Sequence, residues 1–347
     1  MFTQSVYDLE LDLTNLCNAR CPQCPRYDIN YKLRPGLNKN NLSLELIQNQ
    51  IDNKYLEMAE RFHFIGTTGE PTLNPQFLDI QKFLLDINPD AKLICHTNGD
   101  THNEDWWAKC GQLYSTSPNS VVQFGIDGLE DTHHLYRVNT QFERVLKHAK
   151  VFIDNGGQAV WQFLIFKHNQ HQVYDAMEMS RKLGFARFKP LRSTRFIYHN
   201  DTQPKTLPHK LEPATMVGNL KVPSNMKTGL DAEPCVECKS MKDKFVYIYP
   251  DGTVWPCTWL AGLHLWGKDP HNTINWSMIQ REIVKPYGPL PNINTQKLSD
   301  ILASEQWNAW QFVNKRPTLM CIQQCNTNQP TTEDKMFGPS YGDTIES

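Results

Sequence analysis

VYDLELDLTNLCNARCPQC, residues 6–24, runs a strand pattern directly into three closely spaced cysteines. Over residues 6–13 the side chains alternate. Leu9, Leu11 and Leu13 fall on one face and Asp8, Glu10 and Asp12 on the other, the period of a β-strand. Cys17, Cys21 and Cys24 follow at C-x3-C-x2-C spacing. Asn18, Arg20, Pro22 and Gln23 lie between them, which argues against cysteines that serve only as small buried hydrophobes. A structural zinc site takes four protein ligands. Three thiolates on a four-iron cubane instead leave one iron open to a substrate or cofactor.

Outward from this loop, strand and helix patterns alternate. A helix runs from about Ser43, with Leu44, Ile47, Ile51, Met58 and Phe62 near one face. FHFIG (62–66) reads as the second strand, and the helical FLDIQKFLLDI and the strand AKLICHTNG follow. NEDWWAKCGQLY is helical and SVVQFGIDG is the fourth strand. The next helix carries Phe142, Val145, Leu146, Ala149 and Phe152 inward and stops at Gly156-Gly157. QAVWQFLIF, a helix ending at Gly184, and the strand ARFKPL complete six βα repeats. Such repeats imply a parallel sheet with helices outside it. Six units are short of the eight of a closed barrel, so the expected class is α/β, a partial (β/α)6 TIM-type barrel.

Residues 201–232, rich in Pro, Lys, Asn and Thr, read as a linker or surface excursion. Beyond them, KFVYIYPDGTVWPC reads as a hairpin turning at Pro250-Asp251-Gly252. KLSDILASEQWNAWQFV reads as one helix carrying Leu298, Ile301, Leu302, Trp307 and Trp310. The expected organisation is a core over 1–200, the linker, a small C-terminal α+β domain over 233–327, and a polar tail over 328–347. With 39% hydrophobic residues and a net charge of −2, the chain can build a sizeable core and carries no basic excess for nucleic acid. The N-terminus lacks the basic and apolar regions of a signal peptide, and no apolar run reaches spanning length. A cytoplasmic protein, with neither nucleic acid nor membrane as partner, is expected.

The chain has ten cysteines. A reducing compartment disfavours disulfides. Their clustering at 17/21/24, 235/238, 257 and 321/325 points to metal or iron–sulfur ligation. Cys95 and Cys110 sit in strand-like and helix-like apolar contexts and are read as packing.

With these residues in view, the sequence resembles the radical S-adenosylmethionine (SAM) superfamily. The first strand with CNARCPQC is similar to that family's cluster loop. The resemblance implies that Cys17, Cys21 and Cys24 hold a [4Fe-4S] cluster whose open iron chelates SAM. Reductive cleavage of SAM would then give a 5′-deoxyadenosyl radical that abstracts a hydrogen atom from substrate. GTTGEPTLNP (66–75) is similar to the family's GGEP segment, with Thr68 in place of its first Gly. Thr68, Gly69, Glu70 and Pro71 are thereby implied to lie at the SAM amino group. HTNGD brings Asn98 to the site. GIDGLEDTHHLYR resembles the segment that contributes Asp127 and Arg137, with Arg137 facing the SAM carboxylate; Gly125 stands where the family usually has Ser. His133 and His134 are read as solvated residues at a helix start. Gln162, by alternation, faces the barrel interior.

The C-terminal region resembles a SPASM or twitch domain. Cys238, Gly252-x4-Cys257, Cys321 and Cys325 reproduce its pattern, which implies a second, fully ligated [4Fe-4S] cluster. Cys235 is the alternate to Cys238, and structural zinc is the competing reading of this domain. The resemblance implies a peptide, protein or small-molecule substrate and a reductant such as ferredoxin or flavodoxin. A barrel beginning near residue 6 leaves no N-terminal peptide-recognition domain, which weighs against a ribosomal-peptide substrate. Lys189, Arg192 and Arg195 offer cations to an anionic substrate or a solvated basic edge. Catalytic side chains are not assigned. A non-catalytic iron–sulfur electron carrier or metal-binding module is the alternative, but such a carrier has no use for the GEP, TNG and DG…R segments.

Overall fold

The computed structural model describes residues 5–28, 30–117, 119–193, 211–217, 220–221, 236–266, 273–318, 321–322 and 325. Strands and helices alternate in the expected order. They are β1 (Asp8–Leu11), α1 (Leu44–Gln50), α2 (Asn53–Met58), β2 (Arg61–Phe64), α3 (Phe77–Ile87), β3 (Lys92–Thr97), α4 (Glu104–Tyr114), β4 (Val121–Gly125), α5 (His133–Tyr136), α6 (Phe142–Asp154), β5 (Gln158–Ile165), α7 (Val173–Leu183) and β6 (Arg187–Arg192). A short ribbon, β7 (Met216–Val217) and β8 (Leu220–Lys221), precedes the hairpin of β9 (Phe245–Ile248) and β10 (Val254–Trp255). This is the element order of a partial (β/α)6 barrel followed by a small C-terminal α+β region. Among the described residues no helix is long and apolar enough to cross a membrane.

Two compact units form. The first contains the chain through Leu16, Pro35–Lys92, and the C-terminal segment with β9 and β10. β1 pairs parallel with β2 in the register Leu9↔Phe62 and parallel with β9 in the register Leu9↔Val246. β10 returns antiparallel on β9, across a turn in which Gly252 sits at φ +87°. The expected hairpin is present, and β9 pairs parallel beside β1. β1 is buried along its whole length, so Leu9 and Leu11 form core on one face and the acidic residues are covered on the other.

Two long helices expected in this unit are broken. Ser43 caps α1, accepting the Leu46 N–H at 3.0 Å. The backbone turns extended at Ile51 and Asp52, and α2 restarts at Asn53. The Asp52 carboxylate accepts from the Ser299 N–H at 3.2 Å. Phe62 belongs to β2, and Met58 is exposed. Likewise the helix expected over 297–313 divides into Leu298–Ala303, Glu305–Ala309 and Phe312–Lys315. Ser304 ends the first piece with extended backbone, and its hydroxyl caps the second by accepting the Trp307 N–H at 3.1 Å. At Ser304 a residue that competes for backbone hydrogen bonds stops a helix that apolar periodicity would continue; at Asp52 the carboxylate is turned to the distant Ser299 N–H instead.

The second unit contains Cys17–Arg34 and the chain from Leu93 through β8. β3, β4, β5 and β6 pair in parallel in that order. Its core is aromatic: Phe124 contacts Trp107, Phe152 and Phe185, and Trp161 contacts Phe185 and Phe188. The Trp107 and Trp161 indoles donate to the Thr101 and Ile126 carbonyls, each at 2.9 Å, so neither N–H is left unsatisfied. α6 covers Gly157 and ends before the Gly pair, as expected, and α7 ends at Gly184 with φ +87°. Cys95 and Cys110 are fully buried, in keeping with packing roles.

Candidate functional site

In the second unit, Cys17, Cys21 and Cys24 gather on one apolar patch with Ala19, Tyr136, Leu164, Phe166 and Leu211. The loop is pinned at several points. The Arg20 N–H donates to the Val138 carbonyl at 2.9 Å, and the Cys24 N–H to the Cys21 carbonyl at 3.2 Å. The Arg20 guanidinium lies over the Tyr31 ring at 4.4 Å and donates to the Tyr31 carbonyl, while the Tyr31 hydroxyl donates to the Arg20 carbonyl. Gln23 takes the left-handed conformation, φ +60°, a local cost for a residue with a Cβ. Its amide is buried with neither polar atom partnered among the described residues.

Asn98, at the end of β3, directs its amide to this loop. Nδ2 is 2.9 Å from Asn18 Oδ1 and 4.0 Å from Cys17 Sγ. Arg137 follows α5. Its Nε donates to Asp127 Oδ2 at 2.6 Å, and the other Asp127 oxygen accepts the Leu164 N–H at 2.5 Å. Burial opposes the charge on Arg137, but Asp127, with Cys21 beyond it, reverses that effect and holds the guanidinium charged. Asp127 is thus a fully buried clamp for Arg137. Gly125 has a steric reason in place of the usual Ser: a Cβ there would lie 2.2 Å from Arg137 Nη2.

His133 corrects the sequence reading. It is 1% exposed, and its Nε2 hydrogen-bonds Thr140 Oγ1 at 2.9 Å. Burial, with Arg137 beside it, lowers its pKa to about 3, so it packs as a neutral ring. His134 is exposed, as expected. Gln162 and Lys189 are register partners on β5 and β6 and, like Arg192, are half-buried. Arg195 and Cys235 lie outside the described residues.

In the first unit, the 66–71 segment packs against the chain just after β1. A Cβ on Gly69 would lie 1.8 Å from the Thr14 carbonyl oxygen, so only glycine permits this approach. The Glu70 N–H donates to the Leu16 carbonyl at 2.6 Å. The Glu70 carboxylate accepts from Thr72 Oγ1 at 2.8 Å, capping the short turn Pro71–Leu73. Thr68 Oγ1 is 3.0 Å from the Tyr249 hydroxyl.

The acidic face of β1 carries contacts that its alternation alone does not announce. Asp12 Oδ2 accepts from the Tyr247 hydroxyl at 2.8 Å and the Thr67 N–H at 3.2 Å. Glu10 accepts from the Thr258 hydroxyl. Burial pushes the Asp12 carboxyl up to about 7, with Tyr247 and Thr67 opposing the shift. Burial also raises Glu10 well above the carboxylate range, and Asp12 and Asp8 add to that effect. Three acids alternating on a strand resemble a wet sheet face. Asp12 and Glu10 are covered from Tyr247 and Thr258, over two hundred residues away, while Asp8 pairs with Arg61 on β2.

Cys238, Cys257, Cys321 and Cys325 also lie in the first unit, and they act electrostatically on one another. Burial raises the Cys257 thiol strongly, and Cys321, Cys238 and Cys325 raise it further. Burial pushes Cys321 up to about 11, again with Cys325 and Cys238 adding. Backbone N–H groups of Met241 and Ser240 reach the Cys238 sulfur, and that of Leu260 reaches Cys257. Thr318 Oγ1 is 3.2 Å from Cys321 Sγ. Four coupled thiols, three of them with donors at their sulfurs, suit a cationic multi-iron core, whose binding would release their protons. Among the described residues no three His, Cys, Asp or Glu side chains close to the spacing of a single-ion site.

A family model for the radical SAM superfamily matches residues 11–199, more than half of the chain. The chain belongs to the radical SAM superfamily. A second model, for the SPASM iron–sulfur cluster-binding domain, matches residues 238–326. Comparison with curated proteins gave no significant match. Among solved structures, Streptococcus suis SuiB bound to precursor peptide SuiA aligns with a TM-score of 0.58 at 13% identity, over 92% of this chain and 71% of that one. SuiB bound to S-adenosylmethionine aligns with a TM-score of 0.55 at 12% identity, over 92% and 72%. At that identity the likeness shows a shared fold. Membership makes this radical SAM protein an enzyme and brings a [4Fe-4S] cluster and SAM, with further iron–sulfur chemistry in the SPASM region. The described residues fit both groups. Three thiols share one patch beside a guanidinium held charged, with the partnerless Gln23 amide in the same loop, and four coupled thiols lie in the other unit.

Proposed function

We propose that this enzyme cleaves SAM at a cluster on Cys17, Cys21 and Cys24 and oxidises a peptide substrate with the help of an auxiliary cluster on Cys238, Cys257, Cys321 and Cys325. The observation that carries the reading is the gathering of the three loop thiols on one patch with Arg137 beside Cys21. When bound, the reduced cluster and SAM supply the 5′-deoxyadenosyl radical. The chain's own residues bind and orient. Arg137, clamped by Asp127 through Nε, offers its remaining nitrogens to the SAM carboxylate as a charge-assisted donor. Thr68, Gly69, Glu70 and Pro71 form the segment for the SAM amino group, and Asn98 approaches from the end of β3. The core spans 1–200 and the auxiliary domain 233–327, joined by 201–232 and followed by a polar tail. A ferredoxin or flavodoxin supplies electrons in the cytoplasm.

A peptide is the substrate class supported by the likeness to SuiB bound to its precursor peptide; a small molecule is the outcome to test against it. The test of the core reading is anaerobic reconstitution with SAM and dithionite. The wild-type protein should release 5′-deoxyadenosine, and the Cys17→Ala/Cys21→Ala/Cys24→Ala variant should release none. Release by that variant at the wild-type level rejects the assignment.

A further inference from the structure

The end of β3 and the thiol loop share a closed hydrogen-bond circuit. The Asp100 N–H donates to Asn98 Oδ1 at 2.9 Å. Asn98 Nδ2 donates to Asn18 Oδ1 at 2.9 Å and points its second hydrogen at Cys17 Sγ, 4.0 Å away. Asn18 Nδ2 donates in turn to the Asp100 carbonyl at 3.3 Å and to Asp100 Oδ2 at 3.4 Å. With Oδ1 committed to a backbone N–H, the Asn98 amide has one permitted orientation, the one that sends N–H toward the sulfur. Asn98 is 4% exposed, so water does not compete well for that hydrogen.

We propose that Asn98 and Asn18 are positioning residues that raise the reduction potential of the cluster on Cys17. An N–H directed at a ligand sulfur stabilises the form carrying the extra electron, because reduction adds negative charge to the cluster and its thiolates. Asn98 supplies that donor. Asn18 and the Asp100 backbone fix its direction, so Asn18 acts one step removed. The circuit eases the one-electron reduction on which SAM cleavage depends. This rests on the reading of Cys17 as a cluster ligand.

The test is a redox titration of the full-length, anaerobically reconstituted protein, followed by EPR in the absence of SAM. Contacts between Asn98 and SAM then cannot contribute. Subtracting the spectrum of the Cys17→Ala/Cys21→Ala/Cys24→Ala variant isolates the loop cluster. In Asn98→Leu, with iron content retained, the midpoint should move negative. A tenfold loss in the equilibrium constant for electron uptake corresponds to about 59 mV for a one-electron couple. Asn18→Leu should shift it in the same direction by less. Unchanged midpoints in both variants, with clusters intact, overturn the proposal. Should Asn98→Leu fail to assemble a cluster, Asn18→Leu decides it: a negative shift supports the circuit and no shift overturns it. A triple-cysteine variant that keeps both cluster signals would instead remove Cys17 as a ligand, and both readings would fall.

Discussion

Arg137 is held in one orientation by a buried carboxylate. Its Nε is committed to Asp127 at 2.6 Å, and Asp127 is fully buried. Arg137→Ala should weaken SAM binding by about 1.5–3 kcal/mol, the scale of a hydrogen bond to a charged group, as read by anaerobic titration. Arg137→Lys should not restore it, since one ammonium cannot serve both Asp127 and a carboxylate in the geometry of a guanidinium fork. Gly125→Ala should mimic part of the loss by pushing against Nη2; SAM affinity equal to wild type would show that the guanidinium has room to move. At this scale the sequence is partly legible. Asp127 and Arg137 stand out by their spacing in GIDG…R, but the clamp between them does not, because a spacing carries no direction. His133 misleads for a related reason. A histidine at a helix start looks solvated until its packing partners are known.

The acidic face of β1 belongs to the scale of elements. The alternation of Asp8, Glu10 and Asp12 is plain in the sequence, and so is the strand. The burial of Glu10 and Asp12 is not, because Tyr247 arrives on β9 and Thr258 on the helix after β10. This has a consequence for stability. The Asp12 carboxyl titrates near 7 in the folded protein and near 3.8 unfolded. The folded state therefore holds its proton more tightly. The stability linked to that proton is full below about 3.8 and is lost as pH rises toward 7, at roughly 1.4 kcal/mol for each pH unit between the two values. Asp8, raised by burial to about 6, acts in the same sense. His133 acts oppositely, losing stability as pH falls below its unfolded value, so the informative quantity is a difference. Asp12→Asn keeps an acceptor for Tyr247 and removes the titration. Its unfolding free energy relative to wild type should improve from pH 4 to about pH 7 and level off above that. A constant difference across that range would show that Asp12 stays ionised when folded. Helix ends are the least legible elements, since the chain breaks at Ile51–Asp52 and at Ser304, where apolar periodicity alone would continue a helix.

Across the whole molecule, two thiol sets far apart in the chain each assemble within one compact unit, Cys17/Cys21/Cys24 in one and Cys238/Cys257/Cys321/Cys325 in the other. The spacing of the first set is readable directly. The second is readable only through family resemblance, because its members are brought together by the hairpin and the helices that follow. Full reconstitution should yield about eight irons per chain, and the variant lacking the three loop cysteines about four; zinc in place of iron in that variant would reduce the second set to a structural site. On the proposed function, SAM meets iron at the loop cluster and nowhere else. EPR of the reduced protein with and without SAM tests it most directly. SAM should shift one [4Fe-4S] signal, the one absent from the Cys17→Ala/Cys21→Ala/Cys24→Ala variant, and leave the other unchanged. A SAM-dependent shift that survives in that variant, or no shift in the wild-type protein, would contradict it.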